Sequence, residues 1–165
     1  MPTNDTKMPE DAIERLARQI HADYLGKMRK AGNTGLPSAV EWDALPDEFK
    51  ESNRAAARSF EKKLTLAGYD IAPAGSPRPA IETFDDATLL ALSKAEHDRW
   101  MSEKLANGWT CAPVRDNARK HHPMLIPFDQ LPPEEQQKDT NVVNTIIPLL
   151  KSIGLGVYNS NPQSN

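Results

Sequence analysis

A chain with a single cysteine can neither close an internal disulfide nor present the paired thiolates of a CxxC metal site, and Cys111 stands alone among these 165 residues. A reducing compartment is the simpler expectation. No apolar run approaches the about 18 residues that a membrane-spanning helix requires, and the opening MPTNDTKMPE lacks the apolar core of a signal peptide. The expected location is therefore cytoplasmic, with no membrane partner. Strong charge of either sign is also missing. A net charge of -3 excludes a general attraction for nucleic acid polymers or anionic lipid, although a local basic pocket is compatible with that average. The sequence contains no glycine-rich phosphate loop, nucleophile elbow, HExxH or zinc-deaminase spacing, so no catalytic residue, metal or cofactor is assigned.

What is present is an ordinary globular balance. Hydrophobic residues at 38% and charged residues at 26%, with both signs interspersed, exclude a disordered tail. The length allows one domain, or two small units sharing a core.

The chain repeats itself. At an offset of 86, Pro37, Asp43, Leu45, Pro46, Glu48, Leu64 and Gly68 are matched by Pro123, Asp129, Leu131, Pro132, Glu134, Leu150 and Gly154. Val40 with Ile126, Trp42 with Phe128 and Phe60 with Ile146 fall in the same register. At an offset of 76, Leu16, His21 and Tyr24 meet Leu92, His97 and Trp100, so the second copy carries ten extra residues, within a stretch that includes GWTCAPVRDNARK.

Periodicity gives each copy a helix pair. Ile13, Leu16, Ala17, Ile20, Tyr24 and Leu25 recur at helical spacing over 10–30, after Pro9. Pro46, Asp47 and Glu48 open a second helix that runs through Ala57, Phe60 and Leu64 to a stop at Gly68. The Pro, Gly and Ala of 70–82 read as a connector. A third helix is expected from about Asp85 to Asn107, stopped by Gly108. A fourth runs from Pro132 and Pro133 to Gly154 with Pro148 bending its last turns. The organisation expected is an N-terminal tail over 1–9, a first repeat over 10–70, a linker over 71–84, a second repeat over 85–156 and a polar C-terminal tail over 157–165. The fold class is mainly α, with two helix-pair repeats related by a pseudo-twofold axis in one compact domain and long loops open to short β pairings.

The second copy carries a specific signature: Glu96-His97, Arg99-Trp100, Glu103-Lys104, Gly108-Trp109, Pro113-Val114-Arg115-Asp116, Lys120, His122-Pro123, Leu125, Pro127-Phe128, Leu131 and Lys138-Asp139. It resembles the RyR domain, the repeat found in tandem in ryanodine receptors and in small bacterial and phage proteins. The first copy is a degenerate version that keeps His21 and Tyr24, Leu45-Pro46 and Ser52-Asn53 but lacks the Gly-Trp and Arg-Asp block. The two copies together cover about residues 12–156. The resemblance implies a helical two-repeat fold and a ligand-sensing or protein-contact role, and members joined to bacterial defence proteins imply recognition of nucleotide-derived molecules. Calcium conduction does not carry over, because a pore needs membrane segments.

His97, Trp100 and Lys104, at i, i+3 and i+7, put an imidazole, a large aromatic and a cation on one helix face, which suits a nucleotide. His21 and Tyr24 repeat the first two, and across a twofold axis Tyr24 and Trp100 would sandwich a base. The competing reading makes both aromatics part of the core. Arg115 and Lys120 on the inserted loop are candidates for phosphate, whereas Asp116 is read as pinning that loop and Trp109 as anchoring it. Asn53 and Asp139, equivalent positions early in the second and fourth helices, are candidates for a base or ribose. Glu96, His97 and Glu103 are the residues a hydrolase reading would use, and the adjacent His121 and His122 do not by themselves make a metal site.

Three functional classes stay open on these residues. The first is a non-catalytic module that binds an adenine nucleotide, an ADP-ribose derivative or a cyclic nucleotide between the repeats. It would act as a sensor on a separately encoded protein, or as a sequestering protein such as a phage sponge for a host immune signal. The second is a protein-interaction module, which would expose a sizeable apolar patch. The third is a nucleotide hydrolase.

Overall fold

A computed structural model describes residues 8–160, which form two compact units. The first comprises residues up to 82 together with those from 146 onward, and the second comprises 83–145. No helix among the described residues is long and apolar enough to cross a membrane.

In the first unit, helix α1 (Glu10–Lys30) begins after Pro9 with Glu10 and Asp11 in its first turn and ends on Lys27, Arg29 and Lys30, so both ends complement the helix dipole. Its buried stripe is Ile13, Leu16, Ala17, His21 and Leu25, while Ile20 and Tyr24 are half-buried at its edge. Helix α2 (Asp47–Leu66) starts after Pro46, packs against α1 through Ala57, Phe60 and Leu64, and is stopped by Gly68, whose φ of 84° lies in the left-handed region. The connector that follows is not all loop. Strand β1 (Tyr69–Pro73) pairs antiparallel with β2 (Leu155–Asn159), setting Ile71 opposite Val157. The C-terminal tail expected from 157 therefore begins inside a strand, because Val157 and Tyr158 are buried and the Tyr158 hydroxyl donates to the Pro73 carbonyl at 3.2 Å. The remainder of both expected tails, 1–7 and 161–165, lies outside the described residues.

In the second unit, helix α3 (Asp86–Ala106) is capped by Asp85, whose carboxylate accepts from the Thr88 amide at 2.7 Å, and a left-handed Gly108 stops it. The inserted loop folds back on itself. The Thr110 amide donates to the Lys120 carbonyl and the His122 amide to the Thr110 carbonyl, while Asp116 and His121 exchange backbone hydrogen bonds. A single 3-10 turn (Phe128–Gln130) leads to α4 (Pro133–Asn144), which packs along α3. The fourth helix is broken rather than bent. Pro148 has no amide to bond the carbonyl of Asn144 and its ring crowds that carbonyl, so α4 ends at Asn144 and the chain restarts as α5 (Ile146–Ser152). From there it belongs to the first unit, where α5 packs on α1 and β2 and buries Ile146 and Leu150 completely.

The duplication is visible as one repeated contact. His21 Nε2 meets the Val40 carbonyl oxygen at 2.6 Å, and His97 Nε2 meets that of Ile126 at 2.7 Å. His21 lies edge-on to Trp42 at 6.1 Å and 61°, and His97 to Phe128 at 6.2 Å and 61°. The histidines differ by 76 in number and their carbonyl partners by 86, so the ten-residue insertion falls between two halves of a conserved geometry.

Candidate functional site

Within the second unit, α3, the inserted loop and α4 enclose a cavity of about 440 Å³, a size suited to a small organic ligand. Residues four and three apart on α4, Glu135, Asp139 and Val142, share the face that lines it, joined by Lys138. Helix α3 contributes Glu96, His97 and Trp100, and the loop contributes Arg115, His122, Pro123 and Met124.

The floor is polar and largely committed. Glu96 receives two hydrogen bonds from Arg99, at 2.7 and 3.1 Å, and Arg99 also reaches Glu103 at 3.0 Å. Glu135 pairs with Lys138 at 2.9 Å. His97, only 2% exposed, spans from the Ile126 carbonyl to Asp139, whose Oδ2 lies 3.3 Å from Nδ1. Burial pushes the Asp139 carboxyl up to about 6; Glu96 and Glu135 act in the same sense, and His97 opposes them.

The wall is aromatic and apolar. Trp100 is half-buried, stacks on His97 at 5.5 Å and meets the His122 ring edge-to-face at 4.9 Å. His122 Nδ1 accepts from the Met124 amide at 3.1 Å, which leaves Nε2 as the ring donor. Burial, with Arg115 and Lys104 nearby, holds His122 below the usual histidine value. The cations lie at the edge: Arg115 is exposed and donates to Asn117 at 3.0 Å, and Lys138 is 70% exposed.

Of the residues singled out in the sequence, His97, Trp100, Arg115 and Asp139 thus meet in one cavity. Lys104 does not line it, because its ammonium sits over Trp109 at 4.5 Å. Nor does Lys120, which adopts a φ of 57° and donates to the carbonyl of Asn107 at the end of α3, 2.7 Å away, where a cation complements the helix dipole. His21, Tyr24 and Asn53 belong to the first unit: Tyr24 shares a 2.6 Å hydrogen bond with Ser38, and the Asn53 amide donates to Phe49 at 3.0 Å. Every residue that lines the cavity comes from the second unit, whereas the sequence placed the ligand between the repeats. Asp116 does pin the loop: its carboxylate accepts from the Arg119 amide at 3.1 Å. Sequence reasoning did not select Glu135, Lys138, Met124, Leu131 and Val142, although the α4 members follow from helical spacing once Asp139 is taken as an anchor.

The raised Asp139 pKa has a consequence for stability. A carboxyl whose folded-state pKa exceeds the ordinary carboxylate value stabilises the fold while protonated, and that contribution is lost as pH rises through about 6. Asp139→Asn should therefore raise the melting temperature relative to wild type more at pH 8 than at pH 5. Thermal denaturation at both pH values checks this, and an equal difference at both would refute it.

Compared with protein-family models, residues 81–159 match that of the RyR domain, a stretch that takes in the whole cavity and continues through α5 and β2.

Proposed function

We propose, since residues 81–159 of this chain match the RyR domain model, that its second unit is a non-catalytic module binding a nucleotide-derived small molecule in the cavity between α3, α4 and the inserted loop. The observation that carries this reading is the gradient across that cavity. An aromatic face at Trp100 offers a stacking surface for a base, apolar Met124, Leu131 and Val142 exclude water, and exposed Arg115 and Lys138 stand where a phosphate would reach solvent. Two of the cavity's three carboxylates are engaged, Glu96 by Arg99 and Glu135 by Lys138, which favours binding over a hydrolysis that would need a pair of them.

Such a module either reports its ligand to a separately encoded protein or sequesters it, as a phage protein would sequester a host's nucleotide signal. Heating the purified protein and identifying released small molecules by mass spectrometry tests the binding reading. An intact nucleotide derivative is the expected product. No released nucleotide, together with no thermal shift from a panel of adenine nucleotides, ADP-ribose and cyclic nucleotides, would overturn it.

A further inference from the structure

Both ring nitrogens of His97 face oxygen, Nε2 toward Ile126 and Nδ1 toward Asp139. A carbonyl only accepts, so Nε2 carries a hydrogen. The neutral imidazole then turns a lone pair on Nδ1 toward Asp139 Oδ2, and two acceptors 3.3 Å apart attract each other only when a further proton lies between them. The pair therefore has two forms. With the bridging proton the pair is neutral; without it, the cavity floor carries one negative charge.

No other carboxylate in the cavity has this freedom. Glu96 on α3 is closed by Arg99, and Glu135 on α4 is paired with Lys138. From the loop, Arg115 and His122 complete the charged or titratable groups that line the cavity with Asp139.

The first copy shows that the scaffold does not require an acid here. Its histidine keeps the contact to a backbone carbonyl, yet the position equivalent to Asp139 is Asn53, which cannot change charge and whose amide is spent on Phe49 within its own helix. An acid that the repeat can dispense with, placed beside a buried histidine on a cavity wall, is better explained by what enters the cavity than by folding.

We propose that Asp139 is the specificity-determining residue of this cavity: unprotonated, it accepts a hydrogen bond from an amino or hydroxyl group on the buried end of the ligand, and the proton it shares with His97 weakens that acceptance. The inference rests on the nucleotide reading and adds to it the orientation of the ligand. The donor-bearing end lies inward at Asp139, and the anionic end lies outward at Arg115 and Lys138. A carbonyl or phosphate entering first would meet a carboxylate and be repelled.

The sign of the pH dependence follows. A donor is held best by the charged carboxylate. With that form falling from nearly the whole population at pH 7.5 to about a tenth at pH 5.0, affinity should drop about tenfold. His122 works in the opposite sense, since its protonation at the acid end adds positive charge that favours an anionic ligand.

ADP-ribose is a suitable probe because its diphosphate does not titrate over this range. Calorimetric titration of the full chain should give about tenfold weaker binding at pH 5.0 than at pH 7.5. Asp139→Asn should bind more weakly than wild type at pH 7.5 and lose the drop, with circular dichroism confirming that the variant is folded. Wild-type affinity that is constant, or that rises toward pH 5.0 as an inward-facing acceptor would require, overturns the inference while leaving the nucleotide reading intact. So does an Asp139→Asn protein that keeps the tenfold drop. Absence of ADP-ribose binding at both pH values overturns the inference, and the heat-release experiment then decides separately whether the nucleotide reading falls with it.

Discussion

The His97→Ala protein is expected to lose about 3–5 kcal/mol of stability, the largest effect of any single substitution near the cavity. Three losses combine. The Ile126 carbonyl gives up its 2.7 Å hydrogen bond, Asp139 loses the ring 3.3 Å from its carboxylate, and a void opens beside Phe128 and Trp100. An orphaned buried polar group costs about 1–3 kcal/mol by itself, and ring truncation adds the cavity term. The duplication supplies an internal comparison. His21→Ala removes the equivalent bond, here to Val40, and the equivalent edge contact, here with Trp42, but leaves no carboxylate behind. Its loss should be smaller. Urea denaturation of both variants checks the ordering; a loss below about 1 kcal/mol for His97→Ala would mean the histidine is not a structural post.

Trp100→Ala is expected to separate binding from folding. Its indole is half-buried on the cavity wall and makes ring contacts with His97 and His122 but, unlike His97, satisfies no buried backbone group. Base–aromatic stacking is worth about 1–3 kcal/mol, which corresponds to roughly a 5- to 150-fold loss of nucleotide affinity. The variant should retain the wild-type circular dichroism spectrum and a cooperative melt. A chain that simply unfolds would assign Trp100 to the core, and a folded variant with undiminished affinity would remove it from the site.

Local chemistry made much of the fold legible. The proline and acidic starts of α1 and α2, the Asp85 cap of α3 and the left-handed stops at Gly68 and Gly108 are decided within a few residues of each helix end, where sequence holds the relevant information. Where the expected short β pairing falls, and where the last helix breaks, were decided by partners beyond those few residues. Strand β1 lies in a connector rich in Pro, Gly and Ala and becomes a strand because β2, more than eighty residues away, pairs with it. The break between α4 and α5 was signalled by Pro148, but its position four residues upstream follows from the carbonyl that the proline leaves unpaired.

The site was legible in part for the same reason. His97 and Trp100 lie one turn apart on α3, and Asp139 was marked by its equivalence to Asn53, so helical spacing and the repeat brought all three forward. Lys104 and Lys120 were attractive as phosphate ligands by charge alone. Each is instead consumed locally, by the Trp109 ring and by the carbonyl at the end of α3, through loop geometry that no periodicity encodes. The repeat also suggested a ligand shared between copies. The loop of the second copy instead closes a cavity over its own helix pair, using Arg115, from the block that the first copy lacks, with His122 and Met124, where the first copy has Leu36 and Ser38.

The three tryptophans provide the most direct test of where a ligand sits, because one reports on each relevant place: Trp42 on the first unit, Trp100 on the cavity and Trp109 on the base of the inserted loop. Titrating the 15N-labelled protein with ADP-ribose while following the indole N–H signals should shift Trp100 strongly and leave Trp42 in place. Movement of Trp42 with a stationary Trp100, or no movement of any indole at saturating ADP-ribose, would contradict a nucleotide site in the second unit.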